Sequence, residues 1–123
     1  MRLLIVDDDA HIQKSLSIML SQQSDITISG CASSGVEAVE MCGAQQPDVV
    51  LMDIHMPSMD GITATHLIKK EHPNVKVVIF ATFGIKSDIQ QAFEAGADGY
   101  MLKTNDIKKI VEKLYAFTGK NIL

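Results

Sequence analysis

Acidic side chains and one lysine directly follow short apolar segments of the sequence. These residues are Asp7, Asp8, Asp9, Asp53 and Lys103. Carboxylates gathered in one place repel one another strongly unless a cation lies among them. Oxygen ligands at an open site suit a hard ion such as Mg²⁺, which takes one or two carboxylates together with water and phosphate. A carboxylate nucleophile, a divalent ion and a lysine together suit phosphoryl transfer.

The elements that must position these groups are five predicted strands with helices between them. The predicted strands are 3–6, 26–31, 48–52, 75–80 and 99–102. Apolar residues at helical spacing, such as Ile12, Leu16 and Leu20, indicate the intervening helices. This alternation predicts an α/β domain in which a parallel sheet carries helices on both faces. Ligand sites of such sheets lie beyond the carboxyl ends of the strands, so we expect the acids and Lys103 to converge there.

Polar residues before several predicted helices indicate where those helices begin. Two pairs have the spacing of a capping box, and three polar residues precede the last helix. They are Ser34 with Glu37, Ser87 with Gln90, and the trio Thr104, Asn105 and Asp106. Asp9 precedes the first predicted helix, where a negative charge is favourable. The third helix is predicted over about 62–71, where the "HPN" of residues 72–74 ends it.

The composition favours one folded domain without a nucleic-acid footprint. The chain has 123 residues, of which 46% are hydrophobic and 21% charged, and these proportions argue against disorder. A net charge of -4 argues against direct binding of nucleic acid. Cys31 and Cys42 suit reduced thiols of the core. Because we find no signal peptide and no apolar segment of membrane-spanning length, we expect a cytoplasmic protein without membrane association.

Three segments of the sequence together resemble the signature segments of the response-regulator receiver domain of two-component signalling. They are "LLIVDDD", "PDVVLMDIHMPSMDG" and "AGADGYMLK", in the order and spacing of that family. Thr104 after Lys103 resembles the LuxR/NarL subfamily, whose members usually carry a C-terminal helix-turn-helix DNA-binding domain. The resemblance implies a flavodoxin-like, doubly wound sheet of strand order 2-1-3-4-5 with five helices. It implies a receiver domain over 1–118, with 119–123 as a tail or a truncated linker.

The same resemblance assigns roles to residues of the predicted site. Asp53 is expected to be the phosphoacceptor, taking its phosphoryl group from a sensor histidine kinase. Asp8 and Asp53 are expected to bind Mg²⁺, or alternatively Mn²⁺, through their side chains, with the backbone carbonyl of His55 as a third ligand. Asp7 is expected to act mostly through a bound water, and Lys103 to pair with a phosphoryl oxygen.

One position departs from the family pattern. Members usually carry Thr or Ser at the end of strand four, and alignment from Lys103 places Ala81 there, with Thr82 one residue later. Successive strand residues point to opposite faces, so either the hydroxyl is lost or a local bulge brings Thr82 into the site. Tyr100 matches the family's switch aromatic. With a methyl group at Ala81, we expect Tyr100 to occupy its inward state even without phosphate.

The leading functional interpretation is a phosphorylation-dependent signalling switch that turns over no external substrate. Activation is expected to change the face formed by helix four, strand five and helix five, roughly residues 86–118. That face would control homodimerisation or a DNA-binding output domain, and so transcription. Two alternatives stay open: a Mg²⁺-dependent phosphatase with an aspartyl phosphate, and a receiver-like interaction module without phosphorylation. Intact Asp8, Asp53 and Lys103 argue against the module, whereas Ala81 favours it.

Overall fold

Five parallel strands form a single sheet in the computed structural model, which describes residues 1–118. The strands are β1 (Arg2–Val6), β2 (Thr27–Ala32), β3 (Val49–Met52), β4 (Lys76–Ala81) and β5 (Gly99–Leu102). Their order is β2-β1-β3-β4-β5, which confirms the predicted doubly wound sheet. The predicted tail over 119–123 lies outside the described residues.

Five helices cover the two faces of this sheet. They are α1 (Ala10–Ser21), α2 (Gly35–Gln45), α3 (Gly61–Glu71), α4 (Lys86–Glu94) and α5 (Ile107–Thr118). Alternate strand residues point to opposite faces, so the strands supply two apolar clusters. Val50 and Met52 of β3 join the cluster covered by α2, α3 and α4, whereas Val49 and Leu51 join the cluster covered by α1 and α5. Among residues 1–118, no helix combines the length and apolar character needed to cross a membrane.

Side-chain caps fix where four of the helices begin. Asp9 accepts from the His11 N–H at the start of α1. Ser34 Oγ accepts from the Glu37 N–H at 3.2 Å, which confirms Ser34 as the predicted cap of α2. The remaining two caps are Asp60 at α3 and Asp106 at α5. Each cap satisfies an N–H group that has no partner within its helix.

The second predicted capping box is wrong. Helix α4 begins at Lys86 with Ile85 as its N-cap, so Ser87 lies inside the first turn rather than before it. The Ile89 N–H donates to the Ile85 carbonyl, which starts helical hydrogen bonding two residues before Ser87. Asp88 places a negative charge in that first turn, where the helix dipole favours it.

Candidate functional site

Three of the four acidic residues predicted to converge meet at the carboxyl edge of the central strands, whereas Asp9 instead caps α1. Asp7 follows β1 and Asp53 follows β3, and the Asp53 N–H donates to the Val6 carbonyl, which holds the two strand ends side by side. One carboxylate oxygen from each of Asp7, Asp8 and Asp53 lies within 4.8 Å of the others. Asp7 and Asp53 are buried at 2% and 7% exposure, whereas Asp8 is exposed. The cluster is therefore enclosed on the protein side and open to solvent at Asp8.

Lys103 reaches into this cluster from the end of β5. Its Nζ lies 2.7 Å from Asp7 Oδ2 and 3.2 Å from Asp53 Oδ1. Its backbone N–H donates to the Ala81 carbonyl at 2.7 Å, which fixes the lysine against the end of β4. One ammonium faces three carboxylates, so the ionised cluster keeps a net charge of about -2.

Burial and charge shift the ionisation of these groups in directions that suit a cation site. Burial raises the pKa of Asp53 above its usual range, and the charge of Asp7 raises it further, while Lys103 opposes the shift. Burial by itself would lower the pKa of Lys103, but its hydrogen bond to Asp7 and the charge of Asp53 outweigh burial and raise it. Lys103 therefore remains an ammonium, and the cluster gains from an additional positive charge.

The donor set fits a divalent cation of the hard class. All three side chains offer carboxylate oxygens, and the exposed position of Asp8 leaves room for water or phosphate ligands. His55 lies two residues beyond Asp53, in the loop from β3 to α3. Its side chain is 74% exposed and points its Nε2 to within 3.6 Å of Asp88 on α4. The side chain of His55 thus faces α4, and the ligand role of its backbone carbonyl stays a prediction.

The loop after Asp53 turns sharply back onto α3. The Gly61 N–H donates to the Ile54 carbonyl at 2.8 Å, which closes the loop at its base. Within it Ser58 has a φ of 70°, a left-handed conformation. Asp60 then caps α3 through the Thr63 N–H at 2.7 Å. This closure holds Asp53 at the carboxyl end of β3, where its carboxylate lies with those of Asp7 and Asp8.

The end of β4 presents a methyl group at the position where family members usually carry a hydroxyl. Ala81 pairs with Leu102 in the ladder between β4 and β5, and the four pairs of that ladder run without a register shift. Ala81 is 4% exposed, whereas Thr82 lies beyond the strand and is exposed. Thr82 thus lies past the last ladder pair, and the ladder itself contains no bulge that would turn it inward.

Tyr100 lies beside this position. It lies opposite Ile79 in the ladder between β4 and β5. Its partly buried ring packs against the apolar cluster that contains Ala81. Its hydroxyl donates to the Phe83 carbonyl at 3.0 Å. Burial raises the pKa of Tyr100, and the charge of Asp88 adds to this. The ring therefore connects β5 to the loop between β4 and α4.

Sequence reasoning missed Gln13 on α1. Its side-chain amide donates to the backbone carbonyls of Asp7 and Ala32, so it joins the ends of β1 and β2 directly behind the acidic cluster. The spacing of Gln13 from Asp9 is the sequence signal that could have indicated this position. Gln13 comes four residues after the N-cap Asp9, and a helical side chain covers the turn on its N-terminal side.

In comparisons with known proteins, one family model covers most of the chain. Residues 3–115 match the family described as response regulator receiver domain. The response regulator protein VraR of Staphylococcus saprophyticus is 38% identical over 117 residues, which are 93% of this chain and 56% of that protein. The chain thus spans about half the length of the curated relatives it matches.

Solved structures give the same result. The crystal structure of a DNA-binding response regulator of the LuxR family from Staphylococcus aureus superposes with a TM-score of 0.90 at 28% identity, covering 95% of this chain and 98% of that one. A chain of the CheX-CheY-BeF3-Mg+2 complex from Borrelia burgdorferi superposes with a TM-score of 0.88 at 28% identity, covering 94% and 87%.

Proposed function

Because this chain belongs to the response regulator receiver domain family, we propose that it is a phosphorylation-driven signalling switch whose phosphoacceptor is Asp53. One observation carries the proposal. The carboxylates of Asp7, Asp8 and Asp53 converge within 4.8 Å, and the ammonium of Lys103 stands 3.2 Å from Asp53. This arrangement combines a nucleophile, a place for a cation and a fixed positive charge.

The proposed step is transfer of a phosphoryl group from a phosphohistidine of a sensor histidine kinase. A carboxylate oxygen of Asp53 attacks the phosphorus and forms a P–O bond. The P–N bond breaks and its electron pair returns to the imidazole nitrogen. The histidine leaves as neutral imidazole when its other ring nitrogen already carries a proton, and otherwise it takes a proton from solvent. Lys103 is placed to pair with a phosphoryl oxygen of the resulting acyl phosphate. Water later attacks the phosphorus, the P–O bond to Asp53 breaks and the water gives a proton to solvent, which releases inorganic phosphate and restores the carboxylate. The domain thus transfers the phosphoryl group only to itself and turns over no external product.

Asp8 and Asp53 would hold Mg²⁺, or Mn²⁺ in its place, with the backbone carbonyl of His55 as a further ligand and Asp7 acting through a bound water. When bound, the ion supplies positive charge that offsets the charge on the phosphoryl oxygens. The carboxylate donor set supports this assignment, and the similar chain from Borrelia burgdorferi belongs to a complex with Mg²⁺ and BeF3.

The output of the switch is proposed from the relatives. Similarity to a DNA-binding LuxR-family regulator supports a helix-turn-helix output domain joined to this domain in the whole protein. Phosphorylation would change the face over roughly 86–118, controlling that domain or homodimerisation and hence transcription. We place the encounter with the kinase in the cytoplasm, and we assign no membrane or nucleic-acid contact to this domain.

The test is a phosphorylation assay with a small donor. We expect incubation with acetyl phosphate and Mg²⁺ to add one phosphoryl group, seen as an increase in intact mass. The adduct should vanish in Asp53→Asn and in the presence of a chelator. Asp106→Asn is the matched control, because it makes the same chemical change at a helix cap that Asn also serves. An adduct that survives Asp53→Asn would refute the assignment.

A second candidate function is favoured by Ala81. With a methyl group at the end of β4, the domain would lack a hydroxyl that binds the phosphoryl group, and it would act as an interaction module without phosphorylation. The same assay separates the proposals. No mass increase in the wild-type chain would favour the module, and sustained release of phosphate from varied monoesters would favour a phosphatase.

A further inference from the structure

We propose that Gln13 is a positioning residue that fixes the loop from Asp7 to Asp9 and thereby sets the affinity of the site for a divalent cation. The inference rests on the proposed function, because it names what holds the cation-binding carboxylates in place. Gln13 contacts no reacting atom. It acts through the backbone on which Asp7 and Asp8 are carried.

The side-chain amide of Gln13 ties together the ends of two strands. Its Nε2 donates to the Asp7 carbonyl at 2.5 Å and to the Ala32 carbonyl at 3.1 Å, and it lies 3.1 Å from Ser33 Oγ. The amide has two hydrogens, so the two carbonyls can occupy both of them. The Asp7 N–H also donates to the Ala32 carbonyl, which makes this the last link between β1 and β2.

The loop is anchored at its other end by Asp9. The Asp9 side chain caps α1 by accepting from the His11 N–H at 2.8 Å, and its own N–H donates to Asp7 Oδ1 at 2.9 Å. The backbone N–H of Gln13 donates to the Asp9 carbonyl at 3.1 Å. Asp8 is exposed and lies between these two anchors. Loss of the anchor at Asp7 therefore frees the backbone that aims Asp8 at Asp53.

A neutral donor is the suitable group for this position. Glutamate at residue 13 would offer no hydrogens to the two carbonyls and would add a negative charge beside an already acidic cluster. A lysine or arginine would donate but would add a positive charge that competes with a divalent cation. Gln13 fixes the carbonyls and leaves the charge of Asp7, Asp8 and Asp53 for the ion.

The test removes the donors and keeps the length of the side chain. In Gln13→Met we expect the dissociation constant for Mg²⁺, measured by calorimetry, to rise about tenfold, as for other residues that hold metal ligands in place. The matched control is Ser29→Ala. Ser29 Oγ donates to the Leu3 carbonyl at 3.2 Å, so it also joins β2 to β1 by a single side-chain bond, but away from the acidic cluster. The control should leave the dissociation constant unchanged.

A metal-free readout separates this inference from the proposed function. The carbonyl ¹³C shifts of Asp7 and Ala32, recorded without Mg²⁺, should move in Gln13→Met and stay in place in Ser29→Ala. Unchanged shifts would overturn the inference whatever the metal does. If the wild type binds Mg²⁺ and Gln13→Met binds it with the same dissociation constant, the link between Gln13 and affinity is overturned. The proposed function would then still stand. A wild-type chain that binds no Mg²⁺ would overturn both the proposed function and the affinity link. Gln13→Ala, with the same expectations, serves if the thioether disturbs packing.

Discussion

The carbonyl oxygen of Asp53 lies 1.9 Å from the position that a β-carbon on Gly61 would occupy. No side chain tolerates such an approach, so Gly61→Ala must displace the backbone of the proposed phosphoacceptor. We expect the variant to lose on the order of 2 kcal/mol or more of unfolding free energy. We also expect phosphorylation by acetyl phosphate to slow, because Asp53 moves away from Lys103. Urea denaturation and intact-mass time courses measure the two effects.

Gly43 provides the matched control for this substitution. It lies in α2, and a β-carbon there would meet His72 Nε2 at 3.8 Å, an ordinary contact. Gly43→Ala should therefore gain about 0.5–1 kcal/mol from helix propensity and leave phosphorylation unchanged. If Gly61→Ala unfolded with the same free energy as Gly43→Ala, the close packing of Gly61 against the Asp53 carbonyl would be contradicted.

The charge of Asp53 is expected to destabilise the metal-free protein. Burial and the charge of Asp7 raise the pKa of Asp53, so its contribution is favourable below its ordinary pKa and is lost as the pH rises through the value in the folded state. Asp53→Asn cannot ionise, so at pH 7 without Mg²⁺ it should melt at a higher temperature than the wild type. Its advantage should shrink towards acidic pH.

Added Mg²⁺ should reduce this difference in melting temperature. A ligand that binds only the folded state stabilises it by mass action, so Mg²⁺ should raise the melting temperature of the wild type. The increase should be smaller in Asp53→Asn, which has lost one of the three carboxylates. Equal increases in both proteins would exclude Asp53 as a ligand. Thermal scans with and without a chelator provide the comparison.

The strands and the position of the site could be predicted from the sequence because both depend on local signals, whereas the strand order was implied by the family resemblance. An apolar β-branched segment followed at once by a polar residue, as at Asp53, marks where a strand ends. The start of α4 could not be predicted, because Ser87 carries the cap pattern while the helix begins after Ile85, which has no side-chain oxygen. Nor could the contacts of Gln13, since they depend on the approach of Ala32 from another strand.

Restoring a hydroxyl at the end of β4 should prolong the phosphorylated state. Ala81→Thr supplies a donor to the phosphoryl group, and Ala81→Val supplies the same shape without the donor. Ala81 is 4% exposed, so both should cost about 1–3 kcal/mol through overpacking. We expect the acyl phosphate on Asp53 to decay more slowly in the Thr variant than in the Val variant, as measured by mass after removal of acetyl phosphate. Equal lifetimes would count against a role for the hydroxyl.

Tyr100 should change little on phosphorylation. Its ring packs against the apolar cluster that contains Ala81, and its hydroxyl donates to the Phe83 carbonyl, so the ring is held inside by contacts that involve no phosphoryl group. We expect nuclear Overhauser contacts between the Tyr100 ring and the Ala81 methyl group both before and after acetyl phosphate is added. In Ala81→Thr, the bulkier side chain should hinder the inward position of the ring. Contacts between the Tyr100 ring and the methyl group at residue 81 should then be weaker before phosphorylation. Contacts that appear only after phosphorylation would contradict the expectation.

Cys42 should make the stability of the domain depend on alkaline pH. The thiol is fully buried on α2, and burial raises its pKa to about 11 from an ordinary value of 9.0. The folded state therefore keeps the thiol neutral while the unfolded state ionises, so stability is complete below pH 9 and falls as the pH rises towards 11. In a Cys31→Ala background, we expect the advantage of Cys42 over Cys42→Ala to shrink by about 1.3 kcal/mol between pH 8 and pH 10. The cavity left by Cys42→Ala costs the same at every pH, so the difference between the two denaturation curves isolates the thiol. A difference that stays constant over this range would show that the thiol ionises equally well in the folded chain.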